Sequence, residues 1–221
     1  MKKGFINYGI LFAAIGCLVM SSCDKKTTEV KTTTKNDMDS EAKTIENMLA
    51  AYKGEKTATA KYAAYAKKAE EEGFHAIATL YQAVSAAESV HAANHKIVIE
   101  DAGATVSIIT PEFTVKSTKE NLADDINGEA YEAKTMYPDF LETAEKAKNQ
   151  IAYLSLSYAM KTEAKHQHFF EETLADMTKN TMNKLPTTYF VCPACGNTYA
   201  GAAPKHCDFS LTDGKKFMVF K

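Results

Sequence analysis

The sequence predicts a mainly α protein: four long helices in one bundle, followed by a small C-terminal domain that needs a metal to hold it. Three observations predict this. Residues 40–181 are rich in Ala, Lys and Glu, with high helix propensity and only three breaks. Each of the four helical segments carries Glu, and the second and fourth carry Glu-x-x-His within an apolar stripe. The end of the chain is short, holds three of the five Cys, and has almost no core of its own.

Composition bounds the alternatives. The chain has 221 residues, of which 24% are charged and 45% hydrophobic, ordinary values for a folded soluble domain. Its 26 basic residues are all Lys, and its net charge is −2. A nucleic-acid binder usually carries a basic excess and uses Arg forks on phosphate and guanine. Neither is present, so nucleic acid is excluded as a partner class. Two Cys lie in the first 23 residues and three in the last 30, which is no disulfide framework.

The elements follow in order. Met1-Lys2-Lys3 and the apolar run from Gly4 to Met20 are too short for a comfortable membrane span. Together with Met20-Ser21-Ser22-Cys23 they resemble a bacterial lipoprotein signal. Residues 1–22 are then a signal peptide and Cys23 carries the lipid, which places the chain in the cell envelope on the periplasmic or outer face. An uncleaved single-span anchor is the other reading. Loss of Lys2 and Lys3 takes the charge from −2 to −4. Residues 23–39 are Thr- and Lys-rich without hydrophobic period and read as a flexible tether. The bundle spans 40–183. Its helices run from Ser40 to about Glu72, from Phe74 to Asp101, from the capping-box pattern Ser117–Glu120 to Lys146, and from Asn149 to Thr181. Gly73 breaks the first pair. Residues 104–118 are β-branched, contain Pro111 and read as a long crossover. Short, long and short connections give the ferritin-like connectivity.

Glu55, the pair Glu88/His91, the pair Glu129/Glu132 and the pair Glu163/His166 lie one set to each helix. Side chains at i and i+3 converge on one helix face, so up to five carboxylates and two imidazoles can meet on a common axis. Leu80, Val84, Glu88 and His91 share one apolar stripe; Leu156, Ala159, Glu163, His166 and Phe170 share another. A carboxylate inside such a stripe is costly unless paired or metal-bound. Glu55 and Glu88 are 33 positions apart, Glu129 and Glu163 are 34, which fits ligands at matching heights in two hairpins. Carboxylate with imidazole suits iron or manganese. His95, one turn past His91, is a candidate outer residue, whereas His168 points away from His166 and His75 sits at a helix start.

The segments GEKTATAKY (54–62), AAESVHAANH (86–95), STKENL (117–122), INGEAYEAKTMYPDF (126–140) and TEAKH (162–166) resemble rubrerythrin. The resemblance covers essentially all of residues 40–221. It implies a di-iron centre held by Glu55, Glu88, Glu129, Glu132, Glu163, His91 and His166. It further implies that one iron shifts between His91 and Glu132 as the redox state changes, and that Tyr62 and Tyr137 hydrogen-bond the carboxylate shell.

Residues 184–221 resemble a rubredoxin domain, which holds one iron on four Cys. Here Cys192, Cys195 and Cys207 are present but the fourth position is Ser210. Ser210 as an oxygen ligand, His206 or Asp208 swinging in, and a weak or zinc-filled site all remain open, as does a Cys192–Cys195 disulfide. The implied activity is that of a peroxidase reducing hydrogen peroxide to water. Its electrons would come through the C-terminal site from a redox-protein donor, across the subunit interface of a homodimer. A ferroxidase or iron store, and a metal-stabilised lipoprotein without catalysis, are the competing classes.

Overall fold

The computed structural model describes residues 35–221. The expected signal peptide, Cys23 and most of the tether lie outside the described residues. The helices are α1 (Lys35–Glu71), α2 (His75–Asp101), α3 (Thr118–Tyr131), α4 (Tyr137–Lys146) and α5 (Gln150–Thr178), with a π-helical segment, Glu132–Met136, joining α3 to α4. α1 packs on α2, and α3 and α4 pack on α5. Residues 104–117 cross over without regular structure. Among the described residues α1 already runs from Lys35, ahead of the expected Ser40, and residues 35–41 contain no Gly or Pro to interrupt it.

The hairpin turns are built alike. Gly73 (φ 81°) donates to the Glu70 carbonyl and Phe74 N–H to Ala69, which is the Schellman arrangement that satisfies the last carbonyls of α1. Lys148 (φ 55°) and Asn149 repeat it on Glu145 and Ala144 at the end of α4. These turns fall near the midpoints of the Glu55/Glu88 and Glu129/Glu163 intervals, so each hairpin brings its two acids to one height. Ser117 caps α3 in a complete capping box with Glu120.

The expected third helix is not continuous. Pro138 lacks the N–H that an α-helix would bond to Lys134, and its ring crowds that carbonyl. The wider π turn relieves this, with Tyr137 N–H donating to the Glu132 carbonyl instead. It also re-aims the helix. Eight residues of regular helix carry a side chain about 80° past its starting face. The extra residue absorbed by the π turn brings Tyr137 back toward the face of Glu129.

The core of the bundle is in two parts. Tyr62, Tyr65, Ile77, Leu80, Tyr81, Val84, Leu122 and Phe170 fill one, and Met48, Ala51, Ile99, Tyr137, Leu141, Leu156 and Ala159 the other. Along each long helix the acids and histidines fall between them. The C-terminal unit is a three-stranded antiparallel sheet, order β2-β1-β3, from β1 (Tyr189–Val191), β2 (Thr198–Ala200) and β3 (Met218–Phe220). Tyr189 and Val191 join the first core, which docks the sheet on the bundle.

Candidate metal centre

Glu55, Glu88, His91, Glu129, Glu163 and His166 are all buried, each at 3% exposure or less. They form two sets. Glu55, Glu88, His91 and Glu163 bring one ligand atom each within 4.8 Å of one another, as do Glu88, Glu129, Glu163 and His166. Glu88 and Glu163 are shared. His91 Nδ1 lies 2.9 Å from Glu88 Oε2 and 3.1 Å from Glu163 Oε1, whereas His166 Nδ1 lies 3.2 Å from Glu88 Oε1 and 2.9 Å from Glu163 Oε2. Each shared carboxylate therefore turns one oxygen to each site, which is a bridging geometry.

Glu88 Oε1, Glu129 Oε2, both Glu163 oxygens and His166 Nδ1 are buried without a hydrogen-bond partner. Such atoms are expensive in a core unless something coordinates them. A pair of cations between the two sets would satisfy all of them. Without metal the site stores protons instead. Burial and then the Glu163 and Glu88 charges push Glu129 well above the usual carboxylate range; burial and then Glu55 do the same to Glu132. Burial opposes the imidazolium at His166, yet Glu88 and Glu163 outweigh it and lift His166 to about 9. Metal entry displaces these protons.

A ring of hydrogen bonds holds the ligands. Tyr62 donates to Glu129 Oε1 and Tyr137 to Glu55 Oε1. His95 shares a hydrogen bond with Ser155 Oγ at Nδ1 (2.8 Å) and faces Tyr137 OH and Glu55 from Nε2. The outer nitrogens of both ligand histidines reach the C-terminal unit. His91 Nε2–H donates to the Cys195 carbonyl (3.2 Å), and His166 Nε2–H to Thr198 Oγ1 (3.0 Å), which itself donates to Gly196 O. These bonds fix Nδ1 as the metal-facing nitrogen in both. The knuckle meets the histidines of its own chain, so the contact that the resemblance assigns to a subunit interface is made here within one chain.

Glu132 falls outside both four-residue sets; His91 occupies the position between Glu55, Glu88 and Glu163. Glu132 lines an open cavity of about 410 Å³ with Ala50, Lys53, Gly54, Thr57 and Lys61. His168 and His75 are exposed and pair with Glu172 and Glu70. Ser155 and Thr198 have no sequence signal, because their roles arise only from contacts between distant segments.

Behind Glu129 lies a charged pair the sequence did not announce. Lys61 Nζ is 3.0 Å from Asp125 Oδ1, and Tyr81 OH donates to Asp125 Oδ2 at 2.9 Å. Asp125 is 1% exposed, but the Lys61 side chain is 23% exposed. The two truncations should therefore differ. Lys61→Met strands a buried carboxylate and should cost about 3–5 kcal/mol. Asp125→Asn leaves an ammonium that can turn into the open cavity and should cost about 1 kcal/mol or less. Urea unfolding midpoints of the two variants check the order.

Cys192, Cys195 and Cys207 are buried, free, and have their sulfurs within 4.8 Å of one another. The Cys192–Cys195 disulfide is not formed. Cys195 Sγ is 3.4 Å from Cys207 Sγ, and Ser210 Oγ is 3.3 Å from Cys192 Sγ. His206 and Asp208 are exposed, and Tyr199 OH donates to the Asp208 carboxylate. Three converging thiols fit one tetrahedral metal.

This bundle, with two histidine–carboxylate sites sharing two bridging acids, defines a ferritin-like protein with a two-metal centre. Comparison with known proteins narrows the class. The rubrerythrin family model matches residues 46–174. Rubrerythrin-2 of Clostridium acetobutylicum is 29% identical over 180 residues, covering 81% of this chain and 97% of that protein. Nigerythrin of Nitratidesulfovibrio vulgaris is 32% identical over 178 residues, covering 80% and 86%. A structure of fully reduced, all-ferrous nigerythrin superposes with a TM-score of 0.72 at 26% identity, covering 96% of this chain and 100% of that one. The chain belongs to the rubrerythrin family. Its bundle carries that family's di-iron site, and its C-terminal Cys cluster fits a mononuclear site in a rubredoxin-like domain.

Proposed function

We propose that this protein is a rubrerythrin-type peroxidase that reduces hydrogen peroxide to water and is anchored in the cell envelope through lipid on Cys23. One observation carries the catalytic reading: Glu88 and Glu163 each face both histidine sites, whose outer nitrogens bond the Cys195 carbonyl and Thr198 of the unit that holds the three thiols. Glu55, Glu88, His91 and Glu163 would hold one iron, and Glu88, Glu129, Glu163 and His166 the other. When bound, the iron pair supplies the two electrons that cleave the O–O bond. The residues do the rest. Tyr62 and Tyr137 hold Glu129 and Glu55 in orientation. Glu132 lies on the open cavity, where peroxide can approach, and the resemblance implies that its carboxyl exchanges with His91. The two apolar cores keep bulk water from the ligands.

A metal held by Cys192, Cys195 and Cys207 would supply the returning electrons, and the hydrogen bond between the Cys195 carbonyl and His91 Nε2–H joins that site to the bundle. A separate redox protein loads that site, and the assembly is a homodimer; the family resemblance supports both. Anaerobic chain loaded with Fe(II) should consume peroxide continuously when a donor is supplied. Consumption that stops after one oxidation of the centre would leave the ferroxidase or iron-store reading in its place. The anchor is tested separately: the chain extracted from membranes should begin at Cys23 and carry the mass of acyl chains there, and a chain that keeps residues 1–22 with an unmodified Cys23 removes the lipid reading.

A further inference from the structure

We infer that Ser210 is the fourth ligand of the C-terminal metal, making it a three-thiolate, one-oxygen site built on an intact second knuckle. The backbone carries the inference. Cys192–Gly196 and Cys207–Leu211 are the same turn twice. Gly196 N–H donates to the Cys192 carbonyl (2.9 Å), and Leu211 N–H to Cys207 (3.0 Å). Cys192 N–H donates to Asn197 O (3.0 Å), and Cys207 N–H to Thr212 O (2.8 Å). Both turns end in a left-handed residue, Gly196 at φ 76° and Leu211 at φ 59°. Ser210 therefore stands in the second turn where Cys195 stands in the first. Its Oγ lies 3.3 Å from Cys192 Sγ, one of the three converging thiols.

The position is also supported from behind. Thr212 Oγ1 is 2.8 Å from Ser210 Oγ and can donate to it, leaving a lone pair of the serine oxygen for the metal. Thr212 matches Asn197 of the first turn, whose Nδ2 donates to Cys207 Sγ at 3.6 Å. His206 and Asp208, the other candidates, are exposed and do not approach the sulfurs.

Oxygen is a harder donor than sulfur and favours ferric over ferrous iron. The substitution thus lowers the reduction potential of the tail iron and strengthens its drive to give an electron onward. That role rests on the relay reading above; the ligand set is tested without peroxide.

The test uses the full chain, loaded anaerobically with Fe(II) and then oxidised. Thiolate-to-iron charge-transfer bands come from the tail alone, because the di-iron ligands contain no sulfur. Ser210→Ala and Ser210→Cys should each shift these bands. In Ser210→Cys the reduction equilibrium constant should rise at least about tenfold, about 59 mV for a one-electron couple. Loss of the bands in Ser210→Ala with retention in Ser210→Cys would support the same assignment. Identical bands and potential in wild type and Ser210→Ala would overturn it, because water would then hold the position. A wild-type chain without such bands would overturn it too, and peroxide oxidation of the di-iron centre could still proceed in either case.

Discussion

Glu163→Ala should empty both di-iron positions at once. Glu163 turns Oε1 to His91 and Oε2 to His166, at 3.1 and 2.9 Å, and neither oxygen has a hydrogen-bond partner of its own. Its removal takes one ligand from each site and the bridge between them. Loss of an outer partner of a metal ligand typically costs about 10–100-fold in metal affinity or activity. Loss of a bridging ligand should exceed that, so peroxide turnover should fall by about 10²-fold or more. Iron content should drop from two to none in the bundle while the tail keeps its metal. Thermal unfolding supplies an independent readout. Metal at 100 times its Kd stabilises a one-site protein by about 2.7 kcal/mol, which is several degrees in a domain of this size. Wild type should show that rise on metal addition, and Glu163→Ala should not. A variant that retains two irons and full turnover would remove the bridging assignment.

The legibility of this centre has a physical reason. A Glu at i and a His at i+3 declare a shared helix face whatever the tertiary structure, and an acid inside an apolar stripe declares a partner. Glu88/His91 and Glu163/His166 could be read on that ground alone. Spacing did the same for Glu55 and Glu129, because a hairpin with its turn midway puts its two acids at one height. What lay outside the sequence was set by contacts between segments far apart. Thr198 and the Cys195 carbonyl fix the ligand histidines because β1 and β2 dock on α2 and α5, and no local pattern encodes docking. The π turn also breaks the helix expected there, and Pro138, six residues after Glu132, is its cause. Its effect is specific: it returns Tyr137 toward the face of Glu129 and sets Glu132 on the open cavity. Asp125 reads as one more surface acid of an acidic helix until Lys61 and Tyr81 are seen to close over it.

Gly196→Ala should separate the two metal sites without emptying either. A Cβ at this position would lie 2.3 Å from His91 Nε2, 2.7 Å from His91 Cδ2 and 3.1 Å from the Ala87 carbonyl. His91 is held by the first iron site and Ala87 O belongs to the α2 backbone, so the knuckle must yield. The left-handed conformation is a smaller part of the effect, at about 1–2 kcal/mol. Leu211 adopts it at the equivalent place in the second knuckle without glycine. Glycine is therefore needed at 196 for the close approach, and Leu211 is the internal control. With the knuckle pushed off, the Cys195 carbonyl leaves His91 Nε2 and the bonded path between the sites opens. Donor-driven peroxide turnover should then fall about 10-fold or more, the scale for losing a ligand histidine's outer partner. Single-turnover oxidation of a chemically reduced di-iron centre should fall less than donor-driven turnover, because every ligand side chain remains and only the outer bond of His91 is lost. Leu211→Gly should leave both rates as they are. If Gly196→Ala keeps full donor-driven turnover, electrons enter the bundle by another route and the contact at His91 is structural only.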